Sequence, residues 1–141
     1  MTTKPAAIPK PIPTPSEVTQ FYWDGAKEHR LMIQRCNDCD NYIHPPMVMC
    51  PKCQSMNLGA SQVSGKGAVY TYTVVERMFH PGFADDMPYV LALVDLPEQH
   101  DLRLLTNILE CPLDQLAIGM DVEVTFEERE GYTAPQFRPA G

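Results

Sequence analysis

Four cysteines in the first half of the chain have the spacing of a metal site. They form two pairs, Cys36-x-x-Cys39 and Cys50-x-x-Cys53, separated by ten residues. Each pair can make a tight turn whose two sulfur atoms converge, and the ten-residue excursion allows the two turns to face each other. Four thiolates complete a tetrahedral zinc site and leave no open position. The spacing therefore predicts one structural zinc ion per chain.

The same cysteines have two other possible uses. Two disulfides are disfavoured because the N-terminal segment lacks the apolar core of a secretory signal, so we expect a cytoplasmic protein whose thiols stay reduced. A rubredoxin-like iron centre, typical of an electron carrier, would use the same four ligands. We expect the bound metal to contribute to folding, since the surrounding segment has little apolar core of its own.

The remaining polar residues form no recognisable catalytic site. Cys111 has no histidine near it in the sequence, and we interpret it as a buried, inert thiol. His44 lies between the two cysteine pairs, but four cysteines already complete the coordination. The sequence has no Ser-His-Asp order, glycine-rich phosphate loop or His-Glu metal motif. We therefore predict that the chain is not catalytic on its own.

The elements around the cysteines can be placed from the N-terminus onward. The four prolines of residues 1–13 favour an extended arm. The segment Thr14-Pro15-Ser16-Glu17 is typical of a capped helix start, which predicts a helix over residues 14–28. A strand over residues 30–35 then leads into the first cysteine pair. We predict one unit, a helix with a zinc ribbon, over residues 14–64.

The second half of the chain has a β pattern. After Gly65 and Gly67, residues 68–75 are rich in β-branched and aromatic residues, which is a strong strand signal. The predicted strands cover residues 68–75, 89–96, 102–109 and 121–128, with a short terminal strand near residues 136–137. A helical turn over residues 112–118, closed by Gly119, separates the third strand from the fourth. We predict a mainly β protein in which an N-terminal helix and a four-cysteine zinc ribbon precede a five-stranded OB-fold barrel over residues 65–141.

One long loop is the candidate contact surface. Residues 76–88 join the first two barrel strands and carry Phe79, His80 and Phe83, and long loops with apolar tips commonly meet a partner or a ligand. We expect these three residues to contact a partner near a substrate entrance; the alternative is that both phenylalanines plug the barrel mouth. Trp23 of the helix is a further candidate contact, unless it packs on the ribbon.

The charge distribution disfavours nucleic acid. Residues 1–66 carry seven Lys or Arg and five Asp or Glu, and residues 67–141 carry four and thirteen. The balances of +2 and −9 sum to the net charge of −7. Affinity for nucleic acid comes mainly from neutralising phosphates, so a nucleic-acid-binding ribbon and OB-fold is the alternative rather than the preferred function. No apolar run is long enough for a membrane span.

The order of motifs resembles a known family. A helix carrying Phe21-Tyr22-Trp23 precedes the cysteine pairs, and Gly65-x-Gly67-x-Val69-Tyr70, Pro88-Tyr89-Val90 and Gly119-Met120-Asp121-Val122 follow. This order is similar to that of the acyl-CoA-associated family with a rubredoxin-like zinc ribbon and an OB-fold, known as a domain-of-unknown-function family. The resemblance covers residues 14–139. A departure is Asn37-Asp38 with Asp40, where the family often has proline and glycine, and we expect a looser first turn that still binds metal.

The resemblance implies a partner protein. Members of this family accompany thiolase-like enzymes, including thiolases, acyltransferases and the retro-aldolases of steroid side-chain degradation. In those complexes the thiolase-like subunit supplies the catalytic residues, and the small zinc-ribbon protein helps to assemble the complex and to shape the channel for a CoA thioester. If this chain itself contacts CoA, Lys66, Arg77 and Arg103 are candidate basic residues for the phosphates; the alternative is that the partner holds the CoA and this chain only supports it.

Overall fold

A small antiparallel sheet carries the cysteines. The computed structural model describes residues 8–141. Helix α1 (Gln20–Lys27) is followed by strands β1 (Met32–Cys36), β2 (Tyr42–Ile43) and β3 (Leu58–Gln62). These strands form a three-stranded sheet in the order β2-β1-β3, with both neighbours of β1 antiparallel to it. The sheet confirms the ribbon, although β2 and β3 were not predicted.

The predicted start of the helix is wrong. α1 begins at Gln20, six residues after Thr14, and Thr19 occupies the N-cap position without a side-chain capping bond. The Thr19 hydroxyl instead accepts a hydrogen bond of 2.9 Å from the backbone N–H of Ser16. Short polar side chains that bond to the nearby backbone compete with helix formation, and here they delay the helix. Its end agrees with the prediction to within one residue.

Five longer strands form the barrel. They are β4 (Lys66–Val75), β5 (Tyr89–Asp95), β6 (Arg103–Asn107), β7 (Asp121–Arg129) and β8 (Tyr132–Pro139). Their order is β6-β5-β4-β7-β8, all antiparallel, and a parallel bridge between Ile108 and Phe137 brings the two edge strands together. This topology confirms the OB-fold. A short 3₁₀ turn (Leu113–Gln115) and Gly119 with φ of 89° match the predicted turn.

A buried glutamine closes the barrel where the strand ladder is incomplete. Gln136 on β8 is 4% exposed. Its side-chain oxygen accepts hydrogen bonds from the Thr106 hydroxyl (3.1 Å) and from the Asn107 backbone N–H (3.0 Å) on β6. Its amide nitrogen donates to the Asn107 side-chain oxygen at 3.2 Å. These bonds join β6 to β8 beside the backbone bridge at Phe137, whose carbonyl accepts a hydrogen bond of 2.7 Å from the Leu109 N–H.

The ribbon and the barrel share one hydrophobic core. Leu31 and Ile33, on the ribbon side, belong to the same buried cluster as Val94 and Phe137 of the barrel. The β5–β6 hairpin adds a polar link, because the side chain of Gln99 accepts from the backbone N–H of Tyr42 (2.8 Å) and donates to its carbonyl (3.0 Å). The predicted division at residues 64 and 65 falls between β3 and β4, and the core crosses it.

The described part of the arm, residues 8–13, lies on the protein's own barrel. A Cβ atom at Gly82 would be 2.7 Å from the carbonyl oxygen of Pro9, so the arm passes directly over the loop. Lys10 forms an ion pair of 2.8 Å with Asp86 of the same loop. The predicted arm also includes residues 1–7, which are outside the described residues. Over residues 8–141, no helix has the length and hydropathy that crossing a membrane requires.

Candidate metal centre and contact loop

The four predicted cysteines converge on one point. The sulfur atoms of Cys36 and Cys53 are 3.5 Å apart, those of Cys39 and Cys50 are 3.6 Å apart, and all four lie within 4.8 Å of one another. A tetrahedral ion with zinc–sulfur bonds of about 2.3 Å would require sulfur–sulfur distances of about 3.8 Å. The cluster therefore fits a metal of this kind and could bind it with no further ligand.

Each cysteine pair is shaped by a residue in the left-handed conformation. Asp40 and Gln54 follow the two pairs with φ of 63° and 64°. Their backbone N–H groups donate to the carbonyl oxygens of Cys36 (3.0 Å) and Cys50 (2.9 Å), which closes the two turns in the same way. The equivalence of the turns explains why both pairs present their sulfur atoms to the same centre.

Backbone N–H groups favour the thiolate form of the first cysteine in each pair. Burial raises the pKa of Cys50, but hydrogen bonds from the N–H groups of Cys53 and Lys52 and from the Cys39 and Cys53 thiols together lower this pKa to about 6. The pKa of Cys36 is also lowered, chiefly by the N–H group of Cys39. Thiolates are the metal-binding form of cysteine, so Cys36 and Cys50 are the two ligands that the turns prepare for a cation.

A polar network ties the first turn to the segment after the second. Asp38 accepts hydrogen bonds from the Ser55 hydroxyl and, at 3.3 Å, from the Asn57 side-chain nitrogen. Asn57 in turn accepts a bond of 3.1 Å from Asn37. We expected the residues at positions 37 and 38 to loosen the first turn; in the structure they link it to its neighbour.

His44 directly follows β2 of the ribbon but lies outside the cysteine cluster. Its ring is partly buried with its centre 5.9 Å from that of Tyr22, and its Nδ1 atom is buried with no hydrogen-bond partner among the described residues. Burial lowers the pKa of His44 to about 4. The imidazole is therefore neutral at physiological pH.

The structure assigns different positions to the three predicted loop residues. Phe79 is 75% exposed, with the Arg77 guanidinium 5.6 Å from its ring centre. Phe83 is partly buried, 5.8 Å from the ring of Tyr89, with the Lys10 ammonium 5.6 Å from its own ring centre. His80 is the N-cap of a 3₁₀ turn (Pro81–Asp86), and its Nδ1 atom accepts a hydrogen bond of 2.9 Å from the N–H of Gly82.

Trp23 packs on the barrel. Its ring meets that of Tyr132 on β8 edge to face, with centres 5.9 Å apart. The guanidinium of Arg129 lies 5.7 Å from the Tyr132 ring and 5.8 Å from the Phe83 ring. Arg129 therefore connects Trp23, through Tyr132, with the base of the contact loop on one face of the barrel.

The sequence analysis missed an apolar surface on the ribbon. Its members are large side chains that remain exposed: Met47, Val48, Met49 and Met56. The buried side chain of Gln34 fixes this segment, because it donates to the Met47 carbonyl and accepts from the Met47 N–H, both at 2.8 Å. The only signal in the sequence was a short apolar run between the cysteine pairs, without the period of a helix or a strand.

A cysteine cluster on a small sheet, joined through one core to a five-stranded barrel, defines a protein with a zinc ribbon and an OB-fold. Family models agree: the ChsH2 rubredoxin-like zinc ribbon domain matches residues 23–59, and the ChsH2 C-terminal OB-fold domain matches residues 60–127. The chain belongs to this family, which is also known as DUF35. A DUF35 domain-containing scaffold protein of Methanocaldococcus jannaschii is 36% identical over 74% of the chain and 73% of its own length.

Longer proteins contain a similar region. A "Probable enoyl-CoA hydratase alpha subunit" of Thermomonospora curvata is 41% identical over 97% of this chain. A 3-oxo-4,17-pregnadiene-20-carboxyl-CoA hydratase alpha subunit of Mycobacterium tuberculosis is 33% identical over 87% of this chain. The chain spans only 42% of the length of each of these relatives. A solved structure of the Ltp2-ChsH2(DUF35) aldolase contains a chain that is 40% identical, with a TM-score of 0.84 over 92% of this chain and 100% of that one.

Proposed function

We propose that this protein is a non-catalytic, metal-binding accessory subunit of a thiolase-like enzyme that acts on CoA thioesters. The enzyme would be a thiolase, an acyltransferase or a retro-aldolase, in lipid or steroid side-chain degradation. The observation that supports the proposal is the similarity, at 40% identity, to the whole of one chain in the solved structure of the Ltp2-ChsH2(DUF35) aldolase. The hydratase relative named for a pregnadiene carboxyl-CoA substrate supports the steroid assignment.

In this proposal the metal is one zinc ion, bound by Cys36, Cys39, Cys50 and Cys53. Zinc would hold the ribbon together and supply no reaction step, because four thiolates complete its coordination. The ribbon in turn supports part of the common core through Leu31 and Ile33. A cytoplasmic location would keep these thiols reduced.

The partner-contact role of Trp23, Phe79, His80 and Phe83 is part of the same proposal. Phe79 would touch the thiolase-like subunit directly, because three quarters of its surface is exposed. His80 and Phe83 would set the shape of the loop near the substrate entrance, and Trp23 would hold the adjoining barrel face. A CoA thioester would lie at the shared interface, with all catalytic groups on the partner.

The exposed tyrosine of the barrel offers little support for the nucleic-acid alternative. Tyr70 on β4 is exposed and could stack a base, but the Arg103 guanidinium already covers it, 3.7 Å from the ring centre. This arginine forms ion pairs with the carboxylates of Asp95, at 2.8 Å, and Asp101, at 3.0 Å. A cationic groove is what single-strand binding requires, and this arginine is neutralised.

The test is purification of the full chain from its native cell together with untagged neighbours, followed by protein identification. We expect a thiolase-like enzyme in a fixed ratio, and CoA-thioester turnover that requires both proteins. Phe79→Ala should weaken the complex while the zinc content and melting temperature stay unchanged, and the exposed Leu113→Ala on the 3₁₀ turn after β6 is the control. Full turnover by the partner alone, or a stable complex with an unrelated protein, would overturn the proposal.

A further inference from the structure

A groove of about 610 Å³ lies between the N-terminal arm, the contact loop and the β7–β8 hairpin. Each of the three segments contributes apolar lining: Ile8 from the arm, Met78, Pro81 and Ala84 from the loop, and Tyr132 from the hairpin. Ile8 is 56% exposed and Met78 is 51% exposed. Two large apolar side chains therefore remain in contact with solvent beside a concave surface.

The groove is built into the fold. Gly82 allows the arm to pass so closely that any side chain at this position would collide with Pro9 and Lys10. Lys10 is then fixed by its ion pair with Asp86, and its ammonium also lies over the ring of Phe83. At the other end, the side chain of Ile12 packs against Gly131 of the hairpin, where an added Cβ would be 3.2 Å away. The arm therefore contacts both the loop and the β7–β8 hairpin, which form the two other walls of the groove.

The charged groups around the groove leave an excess of negative charge. Lys10 is paired with Asp86, and Arg129 is paired with Glu127. Glu128 bonds to His29 at 2.6 Å and to the Thr133 hydroxyl at 2.7 Å. The two carboxylates that remain at the rim, Asp85 and Glu130, have no ion pair or side-chain hydrogen bond among residues 8–141.

We propose that this groove receives a short segment of the thiolase-like subunit that carries a Lys or Arg beside an apolar side chain. The basic group interacts with Asp85 and Glu130, and the apolar group covers Ile8 and Met78. Opposite charge selects such a segment and gives the contact its specificity. The same two carboxylates would repel the phosphates of CoA, so the groove is a protein-binding site rather than the site of the nucleotide end of the substrate. This inference rests on the proposed function.

The experiment measures binding of the full zinc-loaded chain to the purified thiolase-like subunit at low and at high salt. We expect the double variant Asp85→Lys/Glu130→Lys to raise the Kd at least about tenfold at low salt and to abolish the salt dependence. The matched control, Asp114→Lys/Asp121→Lys, makes the same change in net charge at two exposed carboxylates outside the groove. The control should change the Kd by less than about threefold.

A second variant tests the arm independently of charge. Gly82→Ala should displace residues 9 and 10, because the added methyl group overlaps their backbone, and should weaken the complex while the zinc content stays the same. Wild-type affinity and salt dependence in Asp85→Lys/Glu130→Lys would overturn the inference and leave the proposed function intact. Failure of the wild-type chain to bind any thiolase-like subunit would overturn both.

Discussion

The buried histidine gives a pH dependence of stability that can be calculated. The His44 ring has a pKa of about 4 in the folded protein, against 6.5 when it is exposed to water. Between these values the unfolded chain binds a proton that the folded protein does not bind, so the free energy of unfolding falls as the pH falls. From about pH 7.5 to about pH 5, this single group should remove about 2 kcal/mol of stability.

The perturbation is His44→Phe, which keeps an aromatic ring beside Tyr22 and removes the titrating group. Urea unfolding with zinc present, followed at about pH 7.5 and about pH 5, gives the two free energies of unfolding for each protein. Protonation of the cysteines at low pH affects both proteins alike, so the difference between them reports the histidine. The variant should lose about 2 kcal/mol less than the wild type over this range.

The control for this prediction is His100→Phe, because the side chain of His100 is 94% exposed. This variant should keep the pH dependence of the wild type. Equal losses of stability in the wild type and in His44→Phe would refute the reasoning, since they would mean that His44 takes up its proton equally in the folded and unfolded states.

Three further predictions concern the ribbon and the barrel. Cys50→Ser should reduce the metal content from about one zinc per chain to nearly none and unfold the ribbon, as metal analysis and circular dichroism would show; a well-folded, metal-free variant would contradict a structural metal. Gln54→Gly should raise the free energy of unfolding by about 0.5 kcal/mol, because glycine tolerates a φ of 64°, whereas Gln54→Val should lower it; the opposite order in urea unfolding would contradict this. Gln136→Leu should cost about 2 kcal/mol or more, because it leaves the Asn107 N–H unpaired; unchanged stability would show that Gln136 is dispensable for barrel closure.

The metal site was predictable because cysteine spacing alone determines which sulfur atoms can converge. Cys36 and Cys39 need only a local turn, and the second pair repeats it. The barrel strands were predictable from composition, since all residues of 69–75 in the first barrel strand are β-branched or aromatic. The ribbon strands were less visible: β2 has two residues, and β3 reads Leu-Gly-Ala-Ser-Gln without a β-branched residue.

Other features depend on contacts that a local pattern does not contain. The prediction that the helix starts at Thr14 failed because Ser16 and Thr19 bond to each other, and the helix begins only after them, at Gln20. The position of the arm depends on Gly82, about seventy residues away in the chain. The role of Gln136 in closing the barrel could not be predicted either, because its hydrogen-bond partners lie on β6, about thirty residues earlier in the chain. The contact roles of Trp23, Phe79, His80 and Phe83 stay predictions.

Because the ribbon and the barrel share one core, we expect neither part to fold stably without the other. Separating them between residues 64 and 65 would expose Leu31 and Ile33 on one fragment and the matching surface around Val94 and Phe137 on the other. Each fragment would also lose its half of the link between Gln99 and Tyr42. We therefore expect gene fusion and recombination to move ribbon and barrel together; in the two hydratase subunits, a region similar to most of this chain accounts for 42% of a longer protein.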